Sequence, residues 1–205
     1  MFPEGDSHRP KSSAGVLILA STSVYRRELL SRLAVPFETR APGVNEAYLA
    51  RESPADRALR LALEKARAVA QAHPDALVIG ADQVAACGER LLDKPGDAAG
   101  AGEQLEALSG RTALFYTACG VLGGSRNVHL AHIDTTTVVF RKLNASEIER
   151  YIERERPFDC AGAFRAESLG ISLFECIESR DPTALIGLPL IWLAGALREA
   201  GFLIP

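Results

Sequence analysis

Two groups of residues in this chain have the chemistry of a polyanion site. The first is Ala20-Ser21-Thr22-Ser23-Val24-Tyr25-Arg26-Arg27, small hydroxyl residues leading into a helical turn that carries two arginines. A helix N-terminus offers free N–H groups and a partial positive charge, so it attracts phosphate. Arginines there oppose the helix dipole and need an anionic partner, either a bound polyphosphate or surface acids such as Glu28. The second group is Asp82-Gln83, behind an aliphatic run that starts at Leu77. A carboxylate at the end of a buried strand can hold a metal or take a proton from water; it can also merely cap a turn. Lys65, at the edge of an apolar helix stripe, and Lys94, before the rigid Pro95, offer point charges to phosphate or to solvent.

Other fingerprints are missing. The chain has no GxxxxGK[ST] loop, no GxGxxG after a strand and no GxSxG elbow, which removes the common NTPase, dinucleotide and acyl-transfer readings. His129 and His132 lie three apart in an extended segment, where that spacing puts them on opposite faces, so they read as structural or surface residues.

The elements that would position these residues follow from the apolar pattern. Val16 to Ala20 reads as a buried strand, and Val24 to Leu33 as a helix that Ser23 can cap. Ala55 to His73 carries an apolar stripe through Leu59, Ala62, Leu63, Ala66 and Ala70 and reads as a second helix. Leu77 to Ala86 reads as a central strand, Asp97 to Leu108 as a helix, and Thr112 to Leu122 and Thr135 to Phe140 as strands. Ser146 can cap a helix from Glu147 to Arg154, and Gly187 to Ala200 reads as the last helix. The alternation predicts an α/β or α+β architecture.

A chain of 205 residues with 47% apolar and 24% charged residues suits one globular domain with a substantial core, here placed at residues 16–205. Met1 to Gly15 is polar and reads as a flexible N-terminal tail, too short in apolar residues for a signal peptide. A net charge of −3 argues against broad binding to nucleic acid or anionic membrane, so an anionic ligand must be held locally. The longest apolar stretch, Leu185 to Leu197, is too short to span a bilayer and reads as a buried helix. Cys87, Cys119, Cys160 and Cys176 form no CxxC pair, which predicts neither a zinc ribbon nor a disulfide framework and fits a reducing, cytoplasmic setting.

Taken in order, LILASTSVYRRELL, Asn45-Glu46, Lys65-Ala66, IGADQV, Lys94-Pro95, Leu108-Ser109-Gly110-Arg111 and Gly187-Leu188-Pro189-Leu190 resemble the Maf family of nucleoside triphosphate pyrophosphatases. The resemblance runs from about Val16 to Leu197. It implies an elongated α/β fold with a mixed sheet, similar to inosine triphosphate pyrophosphatase, and a cleft between two lobes. It also implies a divalent metal, Mg²⁺ or Mn²⁺, and attack by water on the α–β phosphate link, and it allows a homodimer. By position, Asp82 is similar to the family's proton acceptor and metal-associated carboxylate, and Glu46 to a second acid near the metal. Ser21, Arg26, Arg27, Lys65 and Lys94 fall on phosphate-handling positions. Two residues depart from the pattern: Asn45 stands where Asp is common, and Asp93 where Gly is frequent.

Tyr25, Gln83 and Glu167 resemble the subgroup that hydrolyses 7-methyl-GTP and not the one preferring dTTP and UTP. N7-methylation makes guanine cationic, so an aromatic face at Tyr25 gains cation–π attraction, and Glu167 can accept from the base N–H groups. Gln83 is left open between the base and the attacking water. The alternatives are Tyr25 packed in the core with Glu167 solvated, a dTTP/UTP or broad modified-nucleotide pyrophosphatase, and a nucleotide-binding regulator of cell division.

Overall fold

The computed structural model describes residues 15–123 and 127–205. Most of the tail expected at Met1 to Gly15 therefore lies outside the described residues. The chain runs β1 (Leu17–Ala20), α1 (Val24–Ser31), β2 (Glu38–Arg40), α2 (Pro54–Ala72), β3 (Leu77–Cys87), β4 (Arg90–Leu92) and α3 (Ala98–Leu108). It continues through β5 (Thr112–Gly123), β6 (Val128–Phe140), α4 (Ala145–Glu155), β7 (Phe174–Glu178) and α5 (Leu190–Glu199). No helix among the described residues is long and apolar enough to cross a membrane.

The strands form one mixed sheet in the order β2-β1-β3-β5-β6-β7, with β4 pairing β3. β1 is parallel to β2 and β3, whereas β3, β5, β6 and β7 are successively antiparallel. The long strands β3 and β5 pass through two hydrophobic interiors. Their Leu77, Ile79, Cys119 and Val121 pack with α1 and α5, while Ala85, Cys87, Ala113 and Phe115 pack with α3 and α4. Between these interiors polar residues cross the sheet: Asp82 stands opposite Ala118, Gln83 opposite Thr117, and Thr117 opposite Asp134. This polar waist is where the two expected lobes meet.

Helix α2 covers the other face of the sheet. Ser53 caps it, its hydroxyl accepting from the Asp56 N–H at 3.1 Å, and Pro54 occupies a position where a missing N–H costs nothing. Its buried face carries Ala58, Leu61, Ala62, Lys65, Ala66 and Val69. Two alanines and a glycine bring helix and sheet close together: a Cβ on Gly80 would lie 2.1 Å from the Ala62 carbonyl oxygen and 2.8 Å from Ala66 Cβ.

Several boundaries differ from the sequence reading. α4 starts at Ala145, and its cap is Asn144 in place of Ser146, in a reciprocal box with Glu147. The apolar stretch Leu185 to Leu197 is not one helix. A 3₁₀ turn at Ala184–Ile186 ends at Gly187, whose φ of 121° favours glycine, and α5 begins only at Leu190. β6 starts at Val128, seven residues ahead of Thr135, because its first half has mixed exposure and lacks a β-branched run. β2, β4 and β7 are short and largely exposed, so no apolar alternation marks them.

The contact at Gly80 yields a prediction. Gly80→Ala should destabilise the protein by about 1–3 kcal/mol, because the methyl must push α2 off the sheet. Thermal unfolding would register this as roughly 2–4 °C per kcal/mol for a chain of this size. An unchanged Tm would mean that α2 does not need this close approach.

Candidate active site

On the side away from β5, β3 is paired with β1 through Gly80 and with β4 from Ala85. Among the described residues no strand pairs that edge between Ala81 and Val84. β1 stops at Ala20, the chain turns through Ser21 to Ser23, and α1 begins, so the edge opens where two parallel strands end and a helix starts. Crevices at the carboxyl ends of parallel strands are the usual ligand sites of such sheets. Here the opening is a cavity of about 880 Å³ whose wall includes Ser21, Tyr25, Arg26, Glu46, Lys65, Asp82, Gln83, Lys94 and Glu167. That volume suits a nucleotide-sized molecule.

The centre is a three-charge cluster. Lys65 Nζ donates to Asp82 Oδ1 at 2.6 Å and lies 2.7 Å from Glu46 Oε1. Lys65 and Asp82 are almost wholly buried, while the Glu46 side chain is about half exposed. Losing Lys65 alone would strand a buried carboxylate, an effect on the order of 3–5 kcal/mol. Burial pushes the Glu46 carboxyl up, but the Lys65 hydrogen bond and the charges of Lys65, Arg26 and Lys94 outweigh it and hold the group below its ordinary value. Asn45 contributes no charge; its Oδ1 accepts from the Ala47 N–H at 3.0 Å and shapes the turn that presents Glu46.

The phosphate candidates are mostly brought together. Ser23 caps α1, accepting from the Arg26 N–H, while Ser21 Oγ accepts from the Ser23 N–H at 3.1 Å. Arg26 Nε donates to the Gly187 carbonyl at 3.1 Å, which ties α1 to the turn before α5 and turns this guanidinium inward. Lys94 is exposed on the cavity wall. Arg27 is the exception: it is exposed and is not among the lining residues. Tyr25, Arg26 and Glu28 take the cavity side of α1, and the rotation of about 100° per residue leaves Arg27 on the far side of the helix from them.

The base-specificity candidates are arranged differently from one another. Tyr25 is not in the core; it lines the cavity, and its hydroxyl donates to Asp159 Oδ2 at 3.1 Å. Burial, with neighbouring Cys160, raises the phenol well above its ordinary value, so the hydroxyl stays protonated. Arg165 places its guanidinium carbon 5.8 Å from the Tyr25 ring centroid and its Nη2 3.0 Å from Asp159 Oδ1. Glu167 is exposed, lines the cavity and has no hydrogen-bond partner among the described residues. Gln83 is committed to the scaffold, its Nε2 donating toward Thr117 Oγ1 at 2.9 Å, Leu185 O at 3.0 Å and Ala184 O at 3.1 Å. It therefore fixes the turn that forms one wall, and only its Oε1 faces further use.

Sequence reasoning missed Asp159, Arg165, Arg57 and Tyr48. Asp159 and Arg165 lie in irregular chain with no periodic signal. Arg57 lies on the same α2 face as Leu61 and Lys65 at four-residue spacing, a signal that could have identified it. Its Nη2 donates to the Glu46 carbonyl at 2.7 Å, so it helps hold the loop that carries Glu46. The two histidines stay outside the site: His132 stacks on Trp192 with centroids 5.2 Å apart.

A metal could be held by Glu46 and Asp82, each of which gives one oxygen to Lys65 and keeps the other. No cluster of three or more His, Cys, Asp or Glu suited to a metal occurs among the described residues. Two carboxylates completed by substrate phosphates is a common arrangement for Mg²⁺, so the donor set fits a cation that arrives with the nucleotide.

Comparison with known proteins shows the family. The family model described as "Maf-like protein" matches residues 16–200. A protein of Xanthomonas oryzae pv. oryzae named "7-methyl-GTP pyrophosphatase" is 55% identical over 189 residues, covering 92% of this chain and 98% of its own length. One of the same name from Aromatoleum aromaticum is 51% identical, covering 92% and 97%. The solved Ham1 protein of Staphylococcus aureus shows a looser likeness, 14% identity with a TM-score of 0.47 over 76% of this chain and 90% of its own.

The cluster around Lys65 gives a pH-dependent prediction. Glu46 has a lowered value in the folded state, so its contribution to stability is complete above its unfolded value near 4.5 and is lost as pH falls through the folded value. In metal-free buffer, wild type should therefore melt above Glu46→Gln at pH 7, and the gap should close in acid. Thermal melts of both proteins from pH 7 to pH 3 test this, and a gap that is constant or widens in acid would contradict it.

Proposed function

The chain belongs to the Maf family, and from that premise we propose that it hydrolyses 7-methyl-GTP to 7-methyl-GMP and pyrophosphate. The observation that carries the reading is that Asp82, held by Lys65 on the open edge of β3, shares one cavity with Arg26, Lys94 and the unpartnered Glu167. The name shared by the relatives supplies the substrate.

In this reading the triphosphate lies against the N-terminus of α1, with Ser21, Arg26, Lys65 and Lys94 opposing its charge. Water attacks the α-phosphorus, its proton passes to Asp82, and the α–β bridging oxygen leaves with pyrophosphate. Lys65 holds the Asp82 carboxylate on the cavity wall and limits its freedom to turn away. A divalent cation, Mg²⁺ or Mn²⁺, held by Glu46, Asp82 and the phosphates, would supply charge neutralisation at the reacting group. Arg27 is assigned a long-range role at most, since it does not line the cavity.

The base meets Tyr25 on its face and Glu167 at its edge. A cationic 7-methylguanine gains from both, and Asp159 beside Tyr25 adds negative charge on the same side, held below its usual range because Arg165, Cys160 and Tyr25 hydrogen bonds outweigh its burial. Four free cysteines suit a reducing cytoplasm, where a nucleotide-pool enzyme would work.

Two sets of rates test this. kcat/KM should be highest for 7-methyl-GTP among 7-methyl-GTP, GTP, dTTP and UTP; a preference for dTTP or UTP would overturn the substrate while leaving the reaction class. Glu167→Gln and Tyr25→Ala should each reduce kcat/KM for 7-methyl-GTP by about 1–3 kcal/mol, on the order of ten- to a hundredfold, and less for UTP. Asp82→Asn should remove most turnover with the fold intact, and near wild-type kcat in that variant would exclude Asp82 as the proton acceptor.

A further inference from the structure

Arg57 carries a buried charge that has no salt-bridge partner among the described residues. The residue is only 9% exposed, and its Nη1 has no hydrogen-bond partner among the described residues. The carboxylates around it have other partners: Glu46 pairs with Lys65, Glu52 with Arg60 at 2.5 Å, and Asp93 accepts from the Tyr48 hydroxyl. Arg60, one turn of α2 away, is paired with both Glu52 and Glu64. Arg57 makes no salt bridge among the described residues, only the hydrogen bond from Nη2 to the Glu46 carbonyl.

The plane of the group is fixed as well. The guanidinium carbon lies 3.6 Å from the Tyr48 ring centroid, and the Tyr48 hydroxyl donates to Asp93 Oδ1 at 2.7 Å, next to Lys94. Arg57 lines the cavity on the same face of α2 as Lys65. It thus belongs with the Lys65 and Lys94 side of the wall, and no hydrogen bond links it to Tyr25, Asp159 or Glu167. A pre-oriented guanidinium with spare N–H groups and no carboxylate partner matches the oxygens of a phosphate, which an arginine fork binds through paired donors.

We propose that Arg57 is a further binding residue for the pyrophosphate part of the nucleotide, with Nη1 donating to a non-bridging oxygen of the leaving group once the ligand is seated. The inference rests on the pyrophosphatase reading and extends it to a residue that binds the two phosphates released, and not the nucleoside monophosphate.

Titration calorimetry with inorganic pyrophosphate and with 7-methyl-GMP, each in Mg²⁺, separates this role from a structural one. Arg57→Met should weaken pyrophosphate binding by about tenfold or more, and Arg57→Lys by less because charge remains without the fork. Neither should change 7-methyl-GMP binding by more than about twofold, and the Lys variant decides the matter if the Met variant does not fold. Unchanged pyrophosphate affinity, equal losses for both ligands, or a wild-type protein that binds no pyrophosphate would overturn the proposal. Cleavage of 7-methyl-GTP by wild type, run alongside, keeps the two levels apart. Cleavage with Arg57-independent pyrophosphate binding removes only the role of Arg57, whereas no cleavage removes the proposed function and this inference with it.

Discussion

The arrangement depends on one buried ammonium. Lys65 reaches from α2 across the sheet face to Asp82 and out to Glu46 on a separate loop, so three parts of the chain meet on one nitrogen. Burying that charge without both carboxylates would be costly, and burying Asp82 without the lysine equally so. The contact is possible because Ala62, Ala66 and Gly80 leave no side chain between helix and strand. Packing of the smallest residues thus determines where the most polar ones stand.

The second constraint is the gap in the sheet. β3 is long enough to serve two hydrophobic interiors, but on one edge its neighbours cover only its ends. Along the uncovered stretch, Asp82 and Gln83 point to opposite faces, as adjacent strand residues must. Asp82 is thereby given to α2 and the charge cluster, while Gln83 is given to the Ala184–Ile186 turn, which it holds in place. Two neighbouring residues therefore serve different parts of one cavity, chemical and architectural.

Much of this could be read from the sequence where a periodic pattern or an ordered motif existed. The buried β1 and β3 runs and the Ser23 cap follow from local rules, and Asp82, Lys65, Glu46, Arg26 and Lys94 stand in the Maf-like motifs. The α2 stripe expected through Leu59, Leu63 and Ala70 is turned, since those three are half-buried and the buried face runs through Ala58, Leu61, Lys65 and Val69. What could not be read depends on tertiary placement. Arg27 looks equivalent to Arg26 until α1 is seen to turn Tyr25, Arg26 and Glu28 toward the cavity and Arg27 away from it. Gln83, read as a specificity residue, also has three acceptors around its amide nitrogen, a scaffold role that no sequence pattern announces. Ser146 and Asn144 are both good caps, and only the capping box with Glu147 selects between them. Asp159 and Arg165, in irregular chain, become visible only when they close over Tyr25.

If the charge cluster around Lys65 directs water to the α-phosphorus, the oxygen of that water must end in the nucleoside monophosphate. Reaction of 7-methyl-GTP with the protein and Mg²⁺ in ¹⁸O-labelled water, followed by mass analysis of the separated products, tests it most directly. Equal amounts of 7-methyl-GMP and pyrophosphate are expected, with the label in the 7-methyl-GMP. Label in pyrophosphate, or release of 7-methyl-GDP and single phosphate, would contradict it.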